Sequence, residues 1–400
     1  MRLLAGVVLC VIPALAAVAG DANVTRRGTL ENSRIRFQTG KKGHVAFMGG
    51  SITEMDGYRP MVCEMLRKRF AETEFTVTAA GIASTCSTTG AFRLQTDVLD
   101  KGPVDLLLVE FAVNDDQDAH HTKAECVRGM EGIVRRLRGH NPKADIIIVY
   151  FVNEGMMATY RKGETPIPIA AHEEVAAHYG LSTINLCKEV TTKIDAKELT
   201  WQKFGGVHPA PFGNRMAADM VGQLMDECWG GTGVPAREAK DYALPPKPLD
   251  ELNYGCGRFL DPKEAKTTGD WQLHVPDWAK LPGGKRDRFT KMNILETTAP
   301  GAPLTLDFSG TAIGAYILAG PDAGIAEASI DGGATVKVDL YHQFSAGLHY
   351  PRTVMFADTL APGKHTLSLK VSAEKNARSK GTAMRAMWFV VNDAAAGGKQ

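Results

Sequence analysis

The chain has 400 residues, is 44% hydrophobic and 23% charged, and carries a formal net charge of +1 at pH 7. That length suits two domains with a sizeable core. No basic excess is present to supply phosphate contacts, which argues against nucleic acid as a partner.

The chain opens on MRLLAGVVLCVIPALAAVAG. Arg2 is a positive end, Leu3 to Val18 an apolar core rather short for a bilayer, and Ala17-Val18-Ala19 a small-residue cleavage pattern. Residues 1–19 are therefore expected to be a signal peptide, and the protein secreted or periplasmic. A retained membrane helix is the alternative. Cys10 follows Leu9, where a lipoprotein signal calls for Gly or Ala, so a lipid anchor is not expected. No other run is long enough for a membrane helix, and no membrane contact is expected after cleavage. Residues 20–43 form a lead-in.

From 44 to 229, strand-like and helix-like segments alternate. Strands are predicted at His44–Met48, Phe75–Ala79, Val104–Phe111, Asp145–Val152 and Ser182–Leu186. Helices are predicted at Tyr58–Phe70, Ala91–Leu99, Lys123–His140, Ile169–Tyr179 and Pro211–Trp229. Such alternation implies crossover connections and a parallel sheet with helices on both faces. The runs "LLLV" and "IIIVY" fit strands buried on both sides. Residues 161–168, "RKGETPIP", read as a rim loop. Residues 230–250, rich in Gly and Pro, read as a linker. Residues 251–393 change to short strands between turns such as Asp331-Gly332-Gly333, the pattern of an all-β sandwich or jelly roll. Residues 394–400 form a tail.

Six cysteines follow the signal segment: Cys63, Cys86, Cys126, Cys187, Cys228 and Cys256. An even count in an exported chain permits disulfides. Most, however, lie in apolar helix or strand patterns, where buried free thiols are expected. Their irregular spacing shows no CxxC pair, so no zinc, other metal or cofactor is expected.

In α/β sheets ligands bind beyond the carboxyl ends of the strands. Four chemically capable residues fall on that edge: Ser51 after the first strand in "GGSIT", Gly81 after the second, Asn114 after the third in "AVND", and His208 before the last helix in "GGVHP". A serine nucleophile needs a base, and histidine suits that work. The oxyanion formed on attack needs donors, here the N–H groups of Ser51 and Gly81 and the Asn114 amide.

This ordered set of four resembles the SGNH (GDSL-type) hydrolase family over about residues 44–229. The resemblance implies a flavodoxin-like three-layer sheet and metal-free esterase or deacetylase chemistry. The sequence departs from the family twice. Gly49-Gly50-Ser51 replaces Gly-Asp-Ser. Gly205 stands three residues before His208, where the family carries its acid. The histidine then works in a dyad, with a backbone carbonyl such as that of Gly205 as orienter, or takes a remote carboxylate. Glu54, Glu110, Asp115 and Asp116 lie near the motif ends. Arg59, Arg93 and His172 are candidate substrate-binding residues near the rim.

The combined expectation is an exported serine esterase acting on an acylated glycan, removing acetyl or another small acyl group. A general esterase or lipase for small esters, and a carbohydrate-binding pseudoenzyme that lost its acid at Gly205, are the rivals. The β-sandwich, with His and aromatic residues dense in 340–352, either binds sugar, closes one wall of the cleft, or only packs. Oligomeric state is left open.

Overall fold

The apolar runs become strands that stop where glycine or a capping side chain interrupts them. The computed structural model describes residues 23–230 and 238–393. The expected signal peptide, residues 231–237 of the linker and the tail lie outside the described residues.

The first unit runs β1 (Val24–Thr25), α1 (Glu31–Gln38), β2 (Lys42–Gly49), α2 (Ser51–Glu54), α3 (Tyr58–Arg69), β3 (Glu74–Gly81), α4 (Ser87–Asp97), β4 (Leu106–Glu110), α5 (Ala112–Gln117), α6 (Lys123–His140), β5 (Asp145–Val149), α7 (Glu154–Arg161), α8 (Ile167–Tyr179), β6 (Ser182–Ile184), α9 (Leu186–Asp195), α10 (Trp201–Phe204) and α11 (Pro211–Trp229). The sheet order is β1-β6-β5-β4-β2-β3. Five strands are parallel, and the short β1 is an antiparallel edge. Ranked along the chain, the parallel strands lie 2-1-3-4-5, the flavodoxin-like order, whose switch point falls between β2 and β4. Helices α4, α6 and α8 pack together in one layer, and α1, α3 and α11 in another. β4 and β5 are buried along their whole length, as strands covered on both faces should be.

Side-chain caps set several boundaries. Thr122 and Glu125 form a reciprocal capping box at the start of α6. Asn185 accepts from the Lys188 N–H and begins α9, so β6 ends before the predicted Leu186. Asn153 caps α7 in the same way. The predicted rim loop at 161–168 is the end of α7, a turn and the start of α8.

The second unit comprises β7 (Gly257–Leu260), β8 (Lys266–Thr267), β9 (Gln272–His274), β10 (Ile294–Thr297), β11 (Leu304–Ser309), β12 (Ile313–Ala319), β13 (Ile325–Ile330), β14 (Val336–Asp339), β15 (Tyr350–Ala357), β16 (Lys364–Val371) and β17 (Met384–Asn392). These form two antiparallel sheets. One runs β15-β12-β17-β10-β9 with β7 beside β17, and the other β14-β13-β16-β11-β8. Leu304, Leu306 and Phe308 share a core with Ile313, Ala315 and Ile317. The other face of the first sheet belongs to a different core. Ile294, Tyr316, Leu318, Met387 and Val390 pack into the cluster that fills the first unit. Hence every residue of β12 is buried, where an antiparallel sheet with one wet face would alternate. The first unit, the first sheet and the second sheet are stacked layers of one body.

Among the described residues no helix is long and apolar enough to cross a membrane. All six described cysteines are free thiols.

Candidate active site

Ser51 begins α2 directly beyond the carboxyl end of β2, and Asn114 lies in α5 beyond the adjacent β4. Both therefore stand at the switch point of the sheet. Gly49 and Gly81 are register partners at the ends of β2 and β3. The turn is too crowded for side chains. A Cβ on Gly81 would lie 2.3 Å from the Glu54 nitrogen, and one on Gly50 would lie 2.0 Å from Asn114 Oδ1. The second contact explains Gly50: the Asn114 amide occupies the space that a side chain there would need. Glycine at 50 and 81 lets the Asn114 amide, the Gly81 backbone and the first turn of α2 crowd around one spot. The N–H groups of a helix's first turn have no intrahelical acceptor, so that of Ser51 is free for a developing oxyanion.

His208 follows Gly205 and Gly206, both at positive φ (110° and 81°), a conformation glycine adopts without strain. Its Nε2 is 2.7 Å from Ser51 Oγ. Asn214 on α11 holds this loop: its Nδ2 donates to the Pro209 carbonyl at 2.6 Å, and its Oδ1 accepts from the Tyr58 N–H at 2.9 Å. The base is thereby tied to the start of α3. Sequence reading missed Asn214, whose only signal is its position one turn into the helix after His208.

None of the four candidate carboxylates pairs with His208. Glu54 accepts from the Ala83 N–H (2.9 Å) and meets Arg288 (3.3 Å). Glu110 accepts from the Gly50 N–H (3.1 Å) and the Thr53 hydroxyl (2.8 Å). Asp115 accepts from the Ser87 N–H (2.8 Å) and lies 3.0 Å from His172 Nε2. Asp116 accepts from Asn153 (2.8 Å). At Gly205 a Cβ would lie 1.9 Å from the Ala210 nitrogen, so no acid can be built there without moving the loop. The structure pairs His208 with Ser51, and the four carboxylates hold the scaffold instead.

Two of the three expected substrate-binding side chains are buried. Arg93 is 1% exposed. Its guanidinium donates to the Ala80 carbonyl (2.8 Å), the Gly49 carbonyl (3.0 Å) and Asp97 (2.8 Å). It thus clamps the ends of β2 and β3 together under the catalytic turn, and is not free for a substrate. His172 is fully buried against Asp115 and does not face a cleft. Arg59 stays at the corner of α2 and α3, bound to Asp56 at 2.6 Å.

Asp118, absent from the sequence-level candidates, accepts from Asn114 Nδ2 at 2.5 Å. This contact fixes which end of the amide is the donor, and burial raises the Asp118 pKa. Asn114→Ala is expected to lower kcat by about 10²–10³-fold with KM little changed, because an oxyanion donor acts mainly on transition-state charge. Steady-state kinetics on an aryl acetate checks this. A rise confined to KM would remove Asn114 from the oxyanion hole.

Glu110 is fully buried, with Oε2 unpartnered. Burial outweighs its hydrogen bonds and raises its pKa from 4.5 to about 8. The folded protein then binds this proton more tightly than the unfolded chain does. No penalty applies below the unfolded value near 4.5. Stability falls as pH rises from there through 8, then levels off. A pKa difference of one between the folded and unfolded chain is worth about 1.4 kcal/mol, so the effect is of order a few kcal/mol. Glu110→Gln keeps an acceptor for Gly50 and Thr53 but cannot ionise. Its melting temperature should fall much less between pH 5 and pH 8 than that of the wild type. Equal pH dependence in melting curves of the two proteins would contradict this.

The second unit reaches the same edge. Arg286 donates to the Ala83 carbonyl (2.6 Å) and Ser84 Oγ (2.8 Å), and Arg288 reaches Glu54 and the Gly81 carbonyl (3.4 Å). Within 340–352, His342 Nε2 donates to the Asp118 carbonyl (2.9 Å), Gln343 to the Gln117 carbonyl (3.0 Å), and Tyr350 to the Ser84 carbonyl (3.2 Å). The β-unit thus braces the segments that follow β3 and α5.

Residues 47–216 match the GDSL-like Lipase/Acylhydrolase family. Two solved structures of a two-domain esterase, one co-crystallised with mannopentaose, align over 93% of this chain and 97% of theirs. They share 21% identity, with TM-scores of 0.73 and 0.72. A catalytic mutant of an acetylxylan esterase from Geobacillus stearothermophilus aligns with 46% of this chain and 94% of its own, at 17% identity and a TM-score of 0.37. No curated protein sequence matches the chain.

Proposed function

We propose, for a chain whose residues 47–216 belong to the GDSL-like lipase/acylhydrolase family and which is an SGNH-type ester hydrolase, that the substrate is an acylated glycan met outside the cytoplasm. The observation that carries the chemistry is the 2.7 Å contact between Ser51 Oγ and His208 Nε2, beside Gly81 and Asn114.

His208 takes the Ser51 proton as Oγ attacks the ester carbonyl carbon. The carbonyl oxygen becomes an oxyanion facing the N–H groups of Ser51 and Gly81 and the Asn114 amide. Collapse of the tetrahedral intermediate breaks the C–O bond, and His208 returns its proton to the departing sugar hydroxyl. Water, deprotonated by His208, then attacks the acyl-serine and releases the carboxylate.

Three facts support a glycan carrying acetyl or another small acyl group. The two-domain esterase with the same layout acts on acetylated mannans. A β-unit braces the catalytic edge. The leader has the form of a secretion signal. The test is acetate release from acetylated mannan, xylan and other polysaccharides set beside an aryl acetate. Faster turnover on at least one acetylated glycan supports the reading. Turnover confined to small aryl or lipid esters would favour a general esterase, and no turnover at all would favour a binding protein.

A further inference from the structure

Around Asp115, the residue directly after Asn114, five metal-ligating side chains converge from five separate segments. Asp115 comes from α5, His121 from the turn before α6, Cys126 from α6, His172 from α8, and Cys86 from the residue preceding α4. Within the set Cys86, Asp115 and His121, and within the set Asp115, Cys126 and His172, the ligand atoms all lie within 4.8 Å of one another. Asp115 Oδ1 is 3.4 Å from His121 Nδ1, and Asp115 Oδ2 is 3.0 Å from His172 Nε2. Asp115, Cys126 and His172 are fully buried, Cys86 is 7% exposed, and the His121 side chain is 10% exposed. His121 Nδ1 has no hydrogen-bond partner, although it is aimed at Asp115 and shut away from water.

We infer that Cys86 Sγ, Asp115 Oδ1 and His121 Nδ1 hold a divalent metal ion of the zinc type. The donor set fits this class of ion. A thiolate, an imidazole and a carboxylate suit zinc and its cobalt substitute, while magnesium and calcium call for oxygen donors. Zinc bonds of about 2.0–2.3 Å place neighbouring tetrahedral ligands roughly 3.3–3.8 Å apart, and the Asp115–His121 separation of 3.4 Å already matches. Asp115 Oδ1 also accepts from the Ser87 N–H, and its Oδ2 meets His172, the outer-shell support that ligating carboxylates usually receive. Cys86 and His121 line a cavity of about 190 Å³ between the two units, which leaves room for a water as the fourth ligand. The scattered numbering, 86, 115 and 121, is why no spacing motif announces the site.

The ion would pin the start of α4 and the turn after α5 to the residue next to Asn114. It positions the oxyanion donor and takes no part in the bond-making steps. The inference does not depend on the identity of the ester.

The test is cobalt and zinc binding to the full-length protein after chelator treatment. About one equivalent of Co²⁺ should bind and give the thiolate-to-cobalt charge-transfer band and the intense visible bands of a tetrahedral site. Zn²⁺ should displace it. Cys86→Ser should abolish the charge-transfer band, and His121→Ala should weaken binding by at least about tenfold, as loss of a ligand does when loss of an outer-shell partner alone costs 10–100-fold. Cys126→Ser should keep the band. Circular dichroism confirms that each variant is folded. A folded wild type that binds no Co²⁺, or a Cys86→Ser variant that keeps the full band, overturns the assignment.

Discussion

Ser51→Ala should lower kcat on an aryl acetate by at least about 10³-fold while leaving the melting temperature within a few degrees of the wild type. Removal of a serine nucleophile or its histidine base in other hydrolases costs even more, because the covalent route is lost entirely. His208→Ala should cost a similar amount, and the double variant hardly more, since the two residues act as one unit through a single 2.7 Å contact. Folding is untouched because Ser51 Oγ bonds outward to an exposed histidine and not into the core. Additive losses in the double variant would show that Ser51 and His208 serve different steps.

Deleting residues 251–400 should destroy the fold of the remainder. Ile294, Tyr316, Leu318, Met387 and Val390 belong to the same buried cluster as the helices and sheet of the catalytic unit, with Phe259 and Trp388 packed against it. Full burial of one such side chain stabilises by roughly 1.5–3 kcal/mol. The five fully buried ones amount to roughly 7–15 kcal/mol, comparable with the whole stability of an ordinary domain, about 5–15 kcal/mol. The truncated chain should be insoluble, or melt far below the wild type and lose activity on aryl acetate and polymer alike. A soluble truncated chain with a cooperative melt and full aryl acetate activity would show that the β-unit is an independent passenger.

Much of this was legible in the sequence, for physical reasons. The helices 123–140 and 211–229 carry strong boundary signals: a Thr-x-x-Glu capping box, and a proline at the first turn with glycine just after the end. Ser51, Gly81, Asn114 and His208 are recognisable because each follows a strand or precedes a helix on the binding edge of a parallel sheet. Arg93 was misplaced because a charged residue near a helix start reads as surface. Its partners are backbone carbonyls of β2 and β3, which no side-chain pattern reveals. His172 sits in a run that looks half exposed, and only the fold brings Asp115 against it. Asp118 and Asn214 act through contacts with Asn114 and the Pro209 carbonyl, and a lone Asp or Asn carries no mark of such a role. The short helices α7 and α9 escaped because their apolar stripes are brief and their asparagine caps resemble loop residues.

The missing acid has a structural reason. Gly205 combines positive φ with a Cβ site only 1.9 Å from the Ala210 nitrogen. The loop that delivers His208 to Ser51 is closed so tightly that it excludes the side chain a triad would place there.

The central claim is that Ser51 is the nucleophile of a Ser–His dyad. The most direct measurement is peptide mapping by mass spectrometry after treatment with an aryl fluorophosphonate, which traps activated serines. The dyad predicts a single adduct on the peptide containing Ser51, loss of esterase activity in step with labelling, and no adduct in His208→Ala over the same time. An adduct on a different residue that tracks the loss of activity, or full activity retained with Ser51 stoichiometrically modified, would contradict it.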